Sequence, residues 1–263
     1  MSDPLSGLGV LVTRPSHQAA GLAALIEQAG GKTFCFPAIE ILDPVDNRAL
    51  VALIDRIEEF DLAVFISANA VNKALNVVHA RRGRLPPGLG LACIGRQSAK
   101  ELARFGYEGA LAPAGGRFDS ESLLAFPGMQ YMAGKRIVIF RGDGGREVLG
   151  NFLSDRGAVV EYAECYRRVR PQAEVASLLK SWARNEIQVV TLTSVEGLRN
   201  LHDLLGKLGQ QWLARTPAVV LSNRIRETAR ELGIRAEVRV ATEMTDAGLL
   251  DALKEWRRDQ KSL

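Results

Sequence analysis

The chain has 263 residues, which at ~150 residues per domain suits two ordinary globular units rather than one small module. Apolar residues make up 47% and charged residues 24%, with glycine and proline spread along the chain, which excludes disorder, a collagen-like repeat and a coiled coil. A formal charge of +4 without any long basic run excludes a dedicated nucleic-acid binder and suits an anionic small molecule.

Taken in chain order, the first element is an apolar run at 9–13, read as a strand, followed from Gln18 to Ala29 by apolar residues at helical spacing. Gly30 then stands where a helix ends in a left-handed residue before the next strand at 33–36. Further short apolar runs at 62–66, 91–94 and 109–112 alternate with helix-period segments, and Gly106 repeats the role of Gly30. Strand alternating with helix implies a parallel sheet covered on both faces.

The pattern then starts again. An offset of 127 carries Arg14 onto Arg141, Gly30 onto Gly157, Pro44 onto Pro171, Ser67 onto Ser194, Gly106 onto Gly233 and Asp119 onto Asp246. The apolar runs follow: Val10-Leu11-Val12 falls on Ile137-Val138-Ile139, and Ala92-Cys93-Ile94 on Val219-Val220-Leu221. One offset without a gap reads as duplication of a single unit.

In open parallel sheets, ligands bind beyond the carboxyl ends of the strands. The loops leaving the expected strands are small and polar: Thr13 to Ser16, Ser67 to Ala70, Gly95 to Ser98, Pro113 to Ser120, Arg141 to Arg146, Thr193 to Glu196, Ser222 to Arg224 and Ala241 to Asp246. Each opens a helix, and helix N-termini carry unpaired N–H groups and partial positive charge suited to carboxylates. Singly, each Ser, Thr, Asn or Asp is explained by helix capping. Eight such loops in two matching sets point instead to one polyanionic ligand held between two lobes.

Other chemistries lack their motifs. Cys35, Cys93 and Cys165 stand far apart with no CxxC, and His17, His79 and His202 show no HExxH or HxH, so no metal is expected. There is no GxSxG, and Arg141-Gly142-Asp143-Gly144-Gly145-Arg146 is neither a P-loop nor a GxGxxG. An enzyme of this composition works by binding and orienting a reactive substrate, with at most one acid or base. No apolar stretch approaches the ~18 residues of a membrane span, and Met1 to Gly9 lacks the features of a signal peptide, so a cytoplasmic location is expected.

Several stretches, in their order and spacing, closely resemble the uroporphyrinogen-III synthase family. They are Val10-Leu11-Val12-Thr13-Arg14-Pro15, Phe65-Ile66-Ser67-Ala68-Asn69-Ala70-Val71, Cys93-Ile94-Gly95-Arg96-Gln97-Ser98-Ala99, Arg141 to Arg146, Glu164-Cys165-Tyr166-Arg167-Arg168 and Thr193 to Leu198. The resemblance implies two flavodoxin-like α/β domains from the duplication, joined by a two-stranded connector, with residues 1–36 plus 170–263 forming one domain and 37–169 the inserted one. It implies a monomer without cofactor or metal. The implied reaction takes linear hydroxymethylbilane, an octacarboxylate, loses water, inverts the last pyrrole ring through a spiro intermediate and closes the macrocycle. Tyr166 matches the family's tyrosine at the connector, a candidate for assisting departure of the hydroxyl, with ring packing as the plainer reading. Arg14, Ser67, Asn69, Ser98, Arg141, Ser194, Ser222 and Arg224 are the expected substrate-binding residues. Ile66 and Ile225 depart from hydroxyl residues frequent at their places, and Asn69 stands where some members are basic. The competing readings are a non-catalytic two-domain receptor for an anionic small ligand and a regulatory protein of the same fold.

Overall fold

In the computed structural model, which describes residues 3–113, 120–144 and 147–261, the apolar runs at 9–13, 33–36, 62–66 and 91–94 become strands of two parallel sheets. The chain runs β1 (Gly9–Val12), α1 (Ser16–Gln28), β2 (Lys32–Cys35), β3 (Glu40–Leu42), α2 (Arg48–Asp55), β4 (Leu62–Phe65), α3 (Ala68–Arg82), β5 (Gly90–Cys93) and α4 (Arg96–Arg104). It continues through α5 (Ser120–Leu124), β6 (Arg136–Gly142), α6 (Val148–Asp155), β7 (Val159–Val169), α7 (Ala176–Ala183), β8 (Val189–Leu192), α8 (Val195–Arg215), β9 (Ala218–Val220), α9 (Asn223–Glu231), β10 (Val238–Val240) and α10 (Asp246–Lys261).

Two compact units result, Met1–Glu40 with Val169–Leu263, and Ile41–Arg168. The first holds the sheet β2-β1-β8-β9-β10, in which Leu11 stands opposite both Phe34 and Val190. The second holds β3-β7-β6-β4-β5, in which Val64 stands opposite Ile139 and Ala92. Helices cover both faces, so β1, β4 and β8 are buried at every residue, which is why they read as unbroken apolar runs rather than alternating ones. Because β3 is the neighbour of β7 in the second sheet, the crossing falls at Glu40/Ile41 rather than directly after Phe36, and the return at Arg168/Val169.

Each unit has its own core. In the first, Leu11, Leu22, Val190, Leu201 and Trp182 pack together, and the Trp182 indole N–H donates to Thr216 Oγ1 at 3.1 Å, which satisfies its one polar atom. In the second, alternation along β6 sends Val138 and Phe140 to the face covered by α3, and Ile137 and Ile139 to the other. Phe140 stacks on Phe65 with ring centroids 4.9 Å apart.

Gly30 and Gly157, at φ 86° and 84°, end α1 and α6 in the left-handed conformation expected of them. The run at 109–112 makes a single bridge, between Leu111 and Ala92, instead of the strand read from its sequence. Gly109 at φ 75° breaks the extended backbone on one side, and Pro113 has no N–H to extend the ladder on the other.

Candidate functional site

At the carboxyl ends of β4, β8 and β9 the chain turns through a serine in extended backbone and enters a helix. Ser67 Oγ accepts from Ala70 N at 3.1 Å, Ser194 Oγ from Gly197 N at 3.0 Å and Ser222 Oγ from Ile225 N at 3.4 Å. All three are N-caps, so capping is part of what these residues do, and a helix's first turn leaves its other N–H groups without partners inside the helix.

In the unit of residues 41–168, Ser67 has a second partner. Its hydroxyl lies 3.1 Å from the phenol oxygen of Tyr166, whose side chain is 4% exposed within the core that α3 covers. A β-bulge places it there. Along β7, Ala163 and Cys165 face α3 while Val160 and Tyr162 face the opposite core, so strict alternation would put residue 166 with Tyr162. The register instead slips, Arg141 pairing with Glu164 and Gly142 with Tyr166, and Cys165 and Tyr166 both reach the α3 side. Gly142 makes the approach feasible: a Cβ there would lie 2.7 Å from Cε2 and 2.8 Å from Cζ of the Tyr166 ring. Below it, the Cys165 thiol donates to Arg141 O at 3.1 Å, and burial pushes it up to about 12.

The two equivalent arginines each meet a carboxylate of their own unit. Arg14 lies 2.5 Å from Asp246 at the start of α10; burial lowers its pKa while the Asp246 charge works the other way. Arg141, 8% exposed, lies 3.2 Å from Glu164 with its guanidinium 4.0 Å above the Tyr162 ring. Ser98 turns inward: it is 2% exposed and donates to Ile94 O at 2.9 Å, so it fastens the first turn of α4 rather than offering a hydroxyl at the sheet edge. Asn69 is half-buried in the first turn of α3. Most of the loop 113–120, including Asp119, lies outside the described residues, as do Gly145 and Arg146.

In the unit of residues 1–40 and 169–263, the starts of α8 and α9 border an open, shallow pocket of about 550 Å³ lined by Thr193 to Glu196, Arg199, Asn200, Ser222, Arg224 and Ile225. It brings Ser194, Ser222 and Arg224 together. Arg224 is exposed and makes no ion pair among the described residues, whereas Arg199 reaches Glu231 at 3.3 Å. Arg199 and Asn200, on the second turn of α8, were not legible as site residues from the sequence. A helix-period count from Glu196, three and four residues on, is the signal that would have found them. Two oriented helix starts, three hydroxyls and a free guanidinium suit an organic carboxylate.

The model of the family described as uroporphyrinogen-III synthase HemD matches residues 20–251. The uroporphyrinogen-III synthase of Escherichia coli is 34% identical over 248 residues, covering 94% of this chain and all of that one. The enzyme of the same name from Synechococcus elongatus is 31% identical, with 97% and 98% covered. Among solved structures, a mutant uroporphyrinogen III synthase from Thermus thermophilus superposes with a TM-score of 0.61 at 18% identity, covering 97% of this chain and 100% of that one. The Helicobacter pylori uroporphyrinogen-III synthetase gives a TM-score of 0.59 at 12% identity over 95% and 99%. At such identities the structures speak for the fold alone, a mixed α/β architecture with parallel sheets.

Proposed function

The chain belongs to the uroporphyrinogen-III synthase family, and from that membership we infer that it closes hydroxymethylbilane to uroporphyrinogen III, as a cyclising lyase. We further propose that Tyr166 serves the departure of the hydroxyl, and that Ser67, Asn69, Ser194, Ser222 and Arg224 meet the substrate, joined by the strand-end arginines Arg14 and Arg141. The observation that carries this assignment is the phenol of Tyr166 held 3.1 Å from the cap of α3, at the carboxyl edge of its sheet.

The substrate's terminal hydroxymethyl carbon is activated by its pyrrole nitrogen, so the C–O bond breaks heterolytically once the oxygen receives a proton and leaves as water. The closing bond later releases the proton of the attacked pyrrole carbon, which restores the donor. A neutral phenol supplies such a proton without a metal or cofactor step. The greater task is geometry, since the activated bilane also closes without inversion. Within each unit, the helix starts at the carboxyl edge of the sheet offer oriented N–H groups that bind carboxylates without a strongly basic surface.

We also read the two units as products of duplication, each flavodoxin-like. In support, the first sheet has the order β2-β1-β8-β9-β10, and stepping each strand by 127 gives β7-β6-β4-β5 and the bridge at Leu111. β3 and β7 lie side by side where the chain crosses between units, which supports the two-stranded connector.

The deciding experiment incubates the protein with freshly prepared hydroxymethylbilane and separates isomers I and III. Rapid formation of isomer III is expected. Isomer I alone, at the spontaneous rate, would overturn the catalytic reading in favour of a binding or regulatory protein.

A further inference from the structure

The hydrogen bond between Ser67 and Tyr166 has a direction that the surroundings decide. Among the described residues, Ser67 Oγ is the one hydrogen-bond partner of the Tyr166 oxygen, and the ring is 4% exposed. If Ser67 donated, the buried phenol proton would have no acceptor, an outcome that folded proteins avoid. If Tyr166 donates, Ser67 Oγ accepts from both Ala70 N–H and the phenol, filling its two lone pairs, and its own proton is left to point away from the core. Ser67 is also the half-buried member of the pair, and so the one that substrate can touch.

We propose that Ser67 is the proton outlet of Tyr166: a catalytic hydroxyl that passes its proton to the departing oxygen while taking the phenol proton behind it. This rests on the reading of Tyr166 as the acid of the reaction. In the step, the C–O bond breaks and its electron pair stays on oxygen. That oxygen gains the Ser67 proton and leaves as water, Ser67 gains the Tyr166 proton, and the phenolate is reprotonated by the proton later lost from the attacked pyrrole carbon. The transient negative charge sits at the N-terminus of α3, the end of the helix dipole that stabilises it.

The equivalent place in the other unit shows that capping alone does not demand this arrangement. Stepping back 127 from Tyr166 gives Ile39, which packs near Gly197, whose Cβ would lie 3.7 Å from Ile39 Cδ1, beside the cap Ser194. There the serine caps α8 with an apolar neighbour in place of a phenol. Two matching sheet edges thus carry one proton device between them.

The test separates capping from relay by comparing Ser67→Asn, which keeps a capping oxygen but no hydroxyl, with Ser67→Thr, which keeps both. Ser67→Asn should lower kcat for isomer III by about a hundredfold with KM and melting temperature nearly unchanged, within the range for general acid catalysis, and Ser67→Thr should restore most of the rate. Ser67→Asn combined with Tyr166→Phe should be no slower than the slower single variant, because both break one chain. Wild-type kcat in Ser67→Asn, or fully multiplicative losses in the double variant, would overturn the relay while leaving Tyr166 as a direct donor. Full activity in Tyr166→Phe would instead remove the reading of Tyr166 on which the relay rests.

Discussion

Gly142 is the residue on which the placement of Tyr166 turns. A methyl group there would lie 2.7 Å from a ring that the core leaves no room to swing aside, so Gly142→Ala should pull the phenol from Ser67. The expected result is a large fall in isomer III rate together with a destabilisation of about 1–3 kcal/mol, the usual cost of overpacking. Rates and melting temperatures unchanged by the substitution would show that the ring has another place to go. The buried thiols give a second residue-level prediction. Burial raises Cys93 to about 11 and Cys165 to about 12, against an ordinary 9.0 in the unfolded chain. Their stabilising contribution is therefore whole below pH ~9 and is lost as pH rises toward the folded values, at up to about 1.4 kcal/mol per pH unit for each thiol. Thermal melts between pH 8 and 11 should show this decline, reduced in Cys165→Ala; an identical pH slope in the two proteins would count against it. Ser67 was legible in the sequence as a hydroxyl before a helix, and Tyr166 through the family resemblance. Their 3.1 Å contact was not, because it depends on a bulge that leaves no mark on residue periodicity. Ser98 looked equivalent to the capping serines, but it lies inside the first turn of α4, where its hydroxyl finds a carbonyl four residues back.

Among the elements, α3 and α8 begin alike and should respond differently. Both have a serine cap accepting from the N–H three residues on, yet Tyr166 adjoins the first alone. Ser194→Ala should cost about 1 kcal/mol of stability, as loss of a cap does, and lower turnover only a few-fold, since backbone N–H groups remain to bind carboxylates. A loss in Ser194→Ala as deep as that in Ser67→Asn, measured at saturating substrate, would mean that both caps do chemistry. The inner strands were readable because burial on both faces makes β1, β4 and β8 continuous apolar runs. The edges were harder. The segment at 109–112 has strand-like composition, but an edge position with Gly109 at φ 75° sustains one bridge and no more. The three residues of β3 carry no periodicity of their own, and their place is set by the neighbouring β7.

For the whole molecule, one unit is continuous in sequence and the other is not. The segment 41–168 contains β4, β5 and β6 whole, all but one residue each of β3 and β7, and both core clusters of its unit, so it should fold when produced alone, with a single cooperative thermal transition. The segment 169–263 should not, because without β1 the fully buried β8 becomes an exposed apolar edge. Circular dichroism of the two fragments checks this; an unfolded 41–168, or a cooperatively folded 169–263, would show that continuity does not govern stability here. The pairing of Val10 with Val189 also sets an order of events during synthesis. The first strands emerge from the ribosome before the whole of 41–168 and wait, unpaired along one side, until translation nears its end. A nascent chain stalled before β8 thus exposes an unpaired edge of the apolar strand β1, so chains that end before residue 189 should aggregate more readily than the full-length protein.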